Sequence, residues 1–515
     1  MALLRLDLKR LKMILITSAK YVSYGLASEF GNIPPCMLPL QNKRLYEHQI
    51  NLIRSSFKDQ IYLSIPYGYQ LPEFDENRLR ELGVTVIRVD QHLELLSSII
   101  KVLVTVDKLN EPLRILFGDT LFKSLPTIND VYLYGIAEDD YKWDYSDKQH
   151  VYSGFFAFSN QNKLVSLSSN TNEFTMAVSN YGLTGIESDG WLDFGLQNTY
   201  YRSISCFTTQ RTFNSLNITN YSVTKKSDDN RKMQAEANWF LQIPHDMKKF
   251  IPSVWDTFEG GYEIEYFYLS SLASIYVYSE ISYSTWVSII NACNYFLETE
   301  FRHHSQNDSN VANINNKLFT EKTKSRILKY ATSEGLDLNK QFTYNGIQTS
   351  SLHDIIDELD LQIRKDATDK VSIMHGDFCF SNILYDFKSR SIKVIDPRGL
   401  SGDGKEISIY GDLRYDVAKL AHSVIGLYDF IIAGRYKYSE STPYDVSLKI
   451  YSNSNNISEY FLLLMEKSYG ISAKIIYPIM INLFLSMLPL HSDNKLRQKA
   501  LLANALRLYL EYKQL

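Results

Sequence analysis

The chain of 515 residues has only four cysteines, and they lie too far apart to form a C-x-x-C pair. A disulfide framework or a cysteine-based zinc site is therefore not expected, and a reducing cytoplasm is the predicted compartment. The chain also lacks a basic excess, since 54 Lys and Arg stand against 58 Asp and Glu for a net charge of -4. This balance argues against a dedicated nucleic-acid-binding protein.

Long hydrophobic runs are few as well. The longest, from Ile475 to Leu490, contains Tyr477, Pro478 and Asn482 and is short for crossing a bilayer. The N-terminal MALLRLDLKRLKMILI has no small-residue cleavage site after its apolar run, which favours a lead-in to a buried strand over a signal peptide. We therefore predict no transmembrane segment. With 45% hydrophobic and 22% charged residues, the chain has the composition of ordinary folded domains.

Strand-length apolar runs alternate with helix-like segments in the first half of the chain. The apolar runs are Met13–Thr17, Gln60–Ile65, Val84–Val89 and Arg114–Phe117. The helix-like segments are Leu45–Phe57, Asn77–Leu82 and Leu93–Val106. Such alternation predicts parallel βαβ units in an open α/β sheet. Ligands of such sheets bind at the carboxyl ends of strands, so the residues after Thr17 and Phe117 are candidates for a site.

The pattern changes near residue 205. We predict a hairpin over Phe213–Lys226, a helix over Lys232–Phe240 and a strand over Tyr262–Leu269. Helical periodicity dominates from Ser271 onwards, and the polar stretch Phe301–Asn316 is the clearest predicted loop. The predicted layout is an α/β domain over residues 1–205, a small mixed lobe over 206–270, and a large, mostly helical lobe over 271–515.

The segment Val371–Gly399 carries the most informative motif. The pattern H-G-D-x-x-x-x-N spans His375–Asn382, and an apolar strand after it ends in Asp396. Phosphoryl transfer from ATP requires a carboxylate that orients and deprotonates a hydroxyl. It also requires an amide oxygen and a second carboxylate that hold magnesium against the phosphates. Asp377, Asn382 and Asp396 supply these groups.

These motifs resemble the aminoglycoside phosphotransferase and choline kinase family, the small-molecule branch of the protein-kinase-like fold. HGDFCFSN matches the family's catalytic loop, IDPRG its metal-binding segment, and GDLRYDVA the element that follows. The resemblance implies a bilobal, protein-kinase-like α+β domain that uses ATP and Mg²⁺ on a small-molecule hydroxyl acceptor. It implies that Asp377 is the catalytic base, that Asn382 and Asp396 are magnesium ligands, and that Asp416 braces the catalytic loop.

A kinase also needs a strand lysine on the phosphates, paired with a helical glutamate. Lys225 in YSVTKKS and Glu236 in MQAEANWF fit this pattern, with Lys226 as the alternative lysine. The competing interpretation is a solvated lysine on an edge strand and a surface glutamate. No clear Gly-rich phosphate loop precedes this hairpin.

Further polar residues flank the catalytic motifs. Arg398 follows the metal-binding Asp and is interpreted either as a phosphate or substrate contact or as the partner of an acid such as Asp412. Asp403, Lys405 and Glu406 are candidates for an acceptor groove, and a solvated loop is the alternative.

Two carboxylates stand out in the first half. Asp119 lies in ILFGDTLF, directly after a predicted strand, and Asp193 lies in GWLDFG. A nucleotidyltransferase uses such a pair to hold magnesium on a nucleoside triphosphate. Residues 13–200 resemble the sugar nucleotidyltransferase family through MILIT, PCMLPLQNKRL, GDTLF, VYSGFFAF and WLDFG. The resemblance implies an open, Rossmann-like α/β domain that binds an NTP, CTP among the candidates, with Asp119 and Asp193 as metal ligands.

The N-terminal phosphate loop departs from that family. The family's Gly-rich loop, usually A-A-G-x-G-x-R, is replaced here by TSAKY. Lys20 is the candidate to replace the loop arginine, and Lys43 or Arg44 the usual lysine; ordinary surface charges are the alternative. Either the loop binds its nucleotide differently, or the domain has lost catalysis and only binds.

Together the motifs predict a kinase-like domain fused to a nucleotidyltransferase-like domain. A kinase that phosphorylates an alcohol, amino alcohol or sugar would supply the phosphate that the other domain couples to an NTP. The combination resembles proteins of bacterial capsule and surface-polysaccharide biosynthesis. A lone kinase with a vestigial first domain and a non-catalytic nucleotide-sugar-binding scaffold or sensor are the alternative interpretations.

Overall fold

The computed structural model describes residues 13–106, 112–136, 150–206, 214–305, 317–366, 371–401, 404, 406–452 and 457–515. The chain divides into two compact units. One consists of Met1–Ile204 with Tyr278–Glu280, and the other of Ser205–Val277 with Ile281–Leu515. The predicted fold class, an α/β domain followed by a kinase-like α+β domain, is confirmed. The predicted boundary at residue 270 between two lobes stays a prediction.

The N-terminal unit is built on a seven-stranded sheet with helices between its strands. Its strands are β1 Met13–Thr17, β2 Pro39–Leu40, β3 Lys43–Arg44, β4 Gln60–Pro66, β5 Val84–Val89, β6 Leu113–Phe117, β7 Thr120–Leu121, β8 Val131–Ile136, β9 His150–Phe158, β10 Thr184–Glu187 and β11 Leu192–Asp193. Its helices are α1 Tyr24–Phe30, α2 Leu45–Ser56, α3 Glu73–Glu81, α4 Leu95–Val106, α5 Gln161–Ser168, α6 Phe174–Tyr181 and α7 Gln197–Ser205. The large sheet has the order β10-β8-β9-β6-β1-β4-β5.

The sheet is mixed rather than wholly parallel. β1, β4, β5 and β6 run parallel, as the alternation of strands and helices predicts. β9, however, pairs antiparallel with both β6 and β8. The sequence does not show this reversal because the aromatic-rich run of β9 has the same composition in either direction. The parallel register still brings Thr17 of β1 beside Phe117 of β6, so both strands end at the same edge.

A four-stranded antiparallel sheet and one helix begin the C-terminal unit. The strands are β12 Asn214–Ile218, β13 Ser222–Ser227, β14 Val254–Phe258 and β15 Gly261–Glu265, and the helix is α8 Asn230–Gln242. The sheet order is β12-β13-β15-β14. Asp229 caps α8 by accepting the Lys232 backbone N–H at 3.0 Å, which fixes where the helix begins. The strand predicted over Tyr262–Leu269 ends earlier, at Glu265.

The remainder of this unit is mainly helical. Its helices are α9 Leu272–Tyr278, α10 Tyr283–Arg302, α11 Lys322–Glu334, α12 Leu352–Lys365, α13 Leu413–Val424, α14 Tyr428–Ile432, α15 Ile457–Tyr469, α16 Ala473–Met487 and α17 Lys495–Tyr512. Its strands are β16 Ser270–Ser271, β17 His304–Ser305, β18 Gln341–Tyr344, β19 Ile347–Ser351, β20 Val371–Ile373, β21 Ile383–Asp386, β22 Ser391–Val394, β23 Tyr410–Gly411, β24 Tyr436–Thr442 and β25 Asp445–Ile450.

One sheet of this helical part was not predicted. β19, β18, β25 and β24 form a four-stranded sheet in that order. β18 and β25 pair across about a hundred residues, with Thr343 beside Asp445. The predicted loop Phe301–Asn316 also differs in part, since Phe301 and Arg302 end α10 and His304 pairs with Ser372. Residues 306–316 lie outside the described residues.

One helix of the described residues is long and apolar enough to cross a membrane by length and composition alone. It spans Ala473–His491, and 72% of its apolar window is buried inside the protein. Core helices of soluble proteins pass the same test. The absence of a transmembrane segment stays a prediction.

Candidate functional site

The catalytic-loop motif lies between β20 and β21. Asp416, in the first turn of α13, accepts the backbone N–H of His375 at 2.6 Å and that of Gly376 at 2.9 Å. Gly376 has φ +78°, and a Cβ there would lie 2.6 Å from Cβ of Arg398. A side chain at this position would therefore be strained and would clash. Asp416 thus anchors the start of the loop at His375 and Gly376.

The Asp377 carboxylate contacts a lysine and an amide, and the Cys379 thiol lies 3.9 Å from its Oδ1. Its Oδ1 lies 2.8 Å from Nζ of Lys419, and its Oδ2 accepts a hydrogen bond from Nδ2 of Asn382 at 3.0 Å. Burial opposes ionisation, but the Lys419 charge and these hydrogen bonds hold the pKa of Asp377 well below its usual range. Asp377 is therefore a hydrogen-bond acceptor that stays ionised, and its side chain is 41% exposed.

Lys419 was missed by the sequence analysis. It lies on α13, three residues after Asp416, so both side chains lie on the same face of the helix. The spacing within GDLRYDVAK was visible in the sequence. Nothing in the sequence, however, indicated that this face meets Asp377.

Lys225, Glu236 and Asp396 form an ion cluster that joins β13, α8 and the segment after β22. Nζ of Lys225 lies 2.7 Å from Oε2 of Glu236 and 3.0 Å from Oδ1 of Asp396. Tyr262 donates its hydroxyl to the same Glu236 oxygen at 2.8 Å. Lys225 and Glu236 are 5% and 3% exposed, whereas Asp396 is 40% exposed and open to a ligand.

The pKa directions in this cluster follow from its charges. Burial lowers the pKa of Lys225, but the charges of Asp396 and Glu236 outweigh it, so the net shift is upwards. Burial, and then the charge of Asp396, raise the pKa of Glu236, and the opposing effect of Lys225 does not offset them. The structure thus places Lys225 in the ion cluster. The alternative, Lys226, lies with its Nζ 5.4 Å from the Phe258 ring centre, and it is exposed.

Asp396 has a left-handed backbone with φ 57°. Non-glycine residues rarely adopt this conformation, and Asp tolerates it better than most. Such strain costs about 1–3 kcal/mol and concentrates at ligand and catalytic sites. The conformation is consistent with a carboxylate held by its surroundings at a functional position.

The oxygens of Asn382 and Asp396 fit a magnesium ion. Asn382 donates its NH₂ group to Asp377, so its Oδ1 is left to accept hydrogen bonds or bind a cation. The Ser381 hydroxyl donates to this Oδ1 at 3.3 Å. Carboxylate and amide oxygens are the ligands that Mg²⁺ prefers, and it takes most of its remaining ligands from phosphates and water. In the described residues no group of three or more His, Cys, Asp and Glu is arranged to hold a metal without such help.

The candidates for a substrate contact or an acceptor groove differ in what they contact and in how exposed they are. Asp412 caps α13 and pairs with Arg414 at 2.6 Å, whereas Arg398 donates its backbone N–H to the His375 carbonyl. Glu406 is exposed. Asp403 and Lys405 lie outside the described residues.

Asp119 and Asp193 meet in the N-terminal unit. Asp119 follows β6, and β11 pairs with β7 so that Asp193 lies beside Thr120. A Cβ built on Gly195 would lie 2.9 Å from Oδ2 of Asp119 and 3.3 Å from Oδ1 of Asp193. Both carboxylates therefore border the small space that glycine leaves open.

The Asp119 and Asp193 carboxylates repel one another because both border the same small space. Burial, and then the charge of Asp193, raise the pKa of Asp119 to about 7. A divalent cation would relieve the repulsion, and carboxylate oxygens are its preferred ligands. The pair therefore fits a magnesium ion.

The predicted phosphate-loop lysines lie at the surface. Lys20 is 57% exposed and pairs with Glu94 at 3.7 Å, and Lys43 is exposed on β3. Arg44 is buried and lies 3.6 Å from Asp75, so it is a structural ion pair. The structure brings Asp119 and Asp193 together. Among the described residues, no contact joins Lys20, Lys43 or Arg44 to either carboxylate.

Comparisons with known proteins give only distant similarities. No protein-family profile and no curated protein matches the chain. A CTP:phosphocholine cytidylyltransferase from Streptococcus pneumoniae is similar at 16% identity, covering 38% of this chain and 100% of its own, with a TM-score of 0.31. A nucleoside-diphosphate-sugar pyrophosphorylase from Vibrio cholerae is similar at 13% identity. The match covers 37% of this chain and 99% of the pyrophosphorylase, with a TM-score of 0.31.

An aminoglycoside phosphotransferase bound to ADP is similar at 11% identity, covering 58% of this chain and 90% of its own, with a TM-score of 0.34. These neighbours have the two folds that the sequence motifs predict, a nucleotidyltransferase fold and a phosphotransferase fold. Scores this low carry no argument about activity or substrate. Any activity must be argued from the residues themselves.

Proposed function

We propose that the C-terminal unit is an ATP-dependent phosphotransferase of a small-molecule hydroxyl. The observation that carries the proposal is the arrangement of Asp377 and Asn382, which are hydrogen-bonded at 3.0 Å, together with the ion cluster of Lys225, Glu236 and Asp396. Phosphoryl transfer is catalysed mainly by positioning and charge neutralisation, which is what these groups provide.

Each residue has a role in this proposal. Lys225, held by Glu236, binds the nucleotide's phosphates, and Asp396 and Asn382 hold Mg²⁺. When bound, Mg²⁺ neutralises charge on the transferred phosphoryl group. Asp377 accepts the acceptor's hydroxyl proton in a hydrogen bond and orients its oxygen. Because the pKa of Asp377 is low, it is a weak base, which suits a largely dissociative transfer with late proton movement.

We further propose that the N-terminal unit binds a nucleoside triphosphate and transfers its nucleotidyl group to a phosphorylated product. The support is the pair of Asp119 and Asp193 with the open space at Gly195. CTP is one candidate, as the resemblance of residues 13–200 to the sugar nucleotidyltransferase family implies. Acting in succession, the two units would make an NDP-activated donor for a cell-surface polysaccharide in the cytoplasm.

A second candidate is a kinase whose N-terminal unit binds nucleotide without catalysis. A specific observation favours it, because Lys20 and Lys43 are solvent-exposed and TSAKY stands in place of a Gly-rich loop. The third, a scaffold or sensor without catalysis, requires that the C-terminal cluster also be inactive.

A paired assay distinguishes the three. ATP consumption is measured over a panel of alcohols, and pyrophosphate release is measured beside it over a panel of nucleotides with phosphorylated alcohols supplied directly. Asp377→Asn and Asp119→Asn are the matched variants. The fused enzyme gives both activities, each lost in one variant only. ATP consumption without pyrophosphate release supports the kinase alone, and neither activity over the whole panel supports the scaffold. Simultaneous loss of both activities in either variant contradicts separate sites.

A further inference from the structure

Basic side chains surround the proposed catalytic carboxylate. Lys419 pairs directly with Asp377. Lys322 and Arg326 lie one turn apart at the start of α11, and the charges acting on Lys322 are those of Arg398, Arg326, Lys419 and Asp377. Lys322 therefore lies in the field of three other cations and of the Asp377 carboxylate.

Two of these cations have no acidic partner among the residues that the structure describes. Arg326 donates a hydrogen bond to the Ser486 carbonyl at 3.0 Å and forms no ion pair there, and Lys322 forms none either. Lys324 on the same helix, in contrast, pairs with Asp357 at 2.7 Å. The surface charge of Lys324 is thus neutralised, while those of Lys322 and Arg326 are not.

The lack of an acidic partner among the described residues is reflected in the pKa of Lys322. Burial, and then the positive charges of Arg398, Arg326 and Lys419, lower it to about 6. Burying an uncompensated cation is unfavourable, and natural proteins seldom retain one without a partner or a ligand. An anion bound among these side chains would restore the charge of Lys322.

Packing fixes this cluster on the helical side of Asp377. The π-helical turn Lys317–Glu321 leads into Lys322, and its Leu318 and Phe319 pack with Tyr415 and Ala418 of α13. The nucleotide-binding candidate Lys225 has a separate set of partners, Asp396 and Glu236. The two cationic groups are therefore distinct, with Asp377 next to the one that contains Lys322.

We propose that Lys322, Arg326 and Arg398 form an anion-binding subsite for the acceptor, so that the phosphorylated alcohol already carries a phosphate or carboxylate group. This inference rests on the proposed kinase function and names its substrate class. A guanidinium binds either anion through paired N–H donors, and an ammonium adds a point charge. A cationic acceptor such as an amino alcohol would be repelled.

The test compares three acceptors of one three-carbon skeleton and different charge, glycerol, glycerol 3-phosphate and glycerate, with choline as the cationic alcohol. We expect phosphorylation of at least one anionic acceptor and none of choline. Lys322→Gln should raise the KM for that acceptor about 10–100-fold, as expected when a charged hydrogen bond is lost, and Lys322→Arg should restore it. Lys329→Gln, an exposed lysine of the same helix, is the control and should leave the KM unchanged.

A binding measurement keeps the inference separate from catalysis. With ADP saturating, titration calorimetry should detect glycerol 3-phosphate or glycerate binding to the wild-type protein and not to Lys322→Gln. The phosphate and carboxylate arms identify which anion is preferred. Phosphorylation of choline but of no anionic alcohol would overturn the inference and leave the kinase standing. Anion binding without any phosphorylation would support the subsite and refute the kinase.

A KM increase for ATP equal to that for the acceptor would show that the cluster holds the nucleotide's terminal phosphate, and it would overturn the proposal. Equal anion binding by wild type and Lys322→Gln would do the same. Because Lys322→Arg retains the charge and nearly the length of the side chain, its rescue also separates lost binding from lost folding.

Discussion

Replacing Lys225 by Met should destabilise the C-terminal unit, because it leaves Glu236 buried without its cation. Lys225 and Glu236 are 5% and 3% exposed, with 2.7 Å between Nζ and Oε2. Breaking a buried pair from one side costs about 3–5 kcal/mol. Tyr262 still donates to Glu236, and the carboxyl can take up a proton, so we expect about 2–4 kcal/mol. Asp396, at 40% exposure, is screened by solvent and is left out of this figure.

The assay is thermal unfolding followed by circular dichroism, with Lys226→Met as the matched control. At about 2–4 °C per kcal/mol, Lys225→Met should lower the midpoint for this unit by about 4–16 °C. Lys226 is exposed, so its replacement should change stability by less than about 0.5 kcal/mol. Equal effects of the two substitutions would refute the assignment of Lys225 to the buried cluster.

The effect of pH gives a second check on the same variant. Burial already raises the pKa of Glu236, and losing Lys225 removes a charge that lowers it, so the folded-state pKa rises further above the unfolded value. Below the unfolded pKa the carboxyl is neutral in both states and costs nothing. The destabilisation should therefore be smaller at pH 5 than at pH 8. A larger effect at pH 5 would contradict this reasoning.

Further predictions concern the catalytic carboxylates and the braced loop. Asp377→Asn should lower phosphotransfer about 10²–10⁴-fold with ATP binding retained, and an unchanged rate removes Asp377 from its role. Gly195→Ala should weaken metal-dependent nucleotidyl transfer, because its Cβ would lie 2.9 Å from Asp119 Oδ2, and full activity would refute the metal pair. Burial raises the pKa of Asp416 from 3.8 to about 7, so the folded state binds the extra proton and this group's contribution to stability falls between about pH 4 and 7. Urea unfolding of Asp416→Asn should show a weaker fall over that range, and an identical profile would contradict the shift.

Local patterns predicted much of the fold. The four predicted strands at Met13, Gln60, Val84 and Arg114 occur within one residue of their predicted starts, because β-branched runs between helices leave few alternatives. The antiparallel insertion of His150–Phe158 was missed. Strand direction depends on pairing partners rather than on composition, so a local pattern does not report it.

The sheet around β18 and β25 was missed for a related reason. Their partners are separated by about a hundred residues, and within each short run the alternation is too brief to stand out from the surrounding helices. Helical periodicity was therefore assigned to a region that also contains a four-stranded sheet.

The candidate site likewise contains residues that a local motif identifies and residues that only the packing of distant segments brings together. Asp377 and Asn382 lie five residues apart in one loop, so a motif could identify them. Lys419 and Lys322 come to Asp377 only through packing of α13 and the start of α11, and no local pattern distinguishes them from surface lysines. Conversely, Lys20 was a candidate by position, and its partner Glu94 is at the surface.

The most direct test of the central claim is a mass-spectrometric screen of small alcohols, incubated with ATP and Mg²⁺, for the gain of one phosphate. The account predicts that an alcohol gains phosphate with the wild-type protein and not with Asp377→Asn, while both proteins bind ATP. Phosphate gain that is equal in the two proteins, or the absence of ATP binding to the wild-type protein, would contradict it.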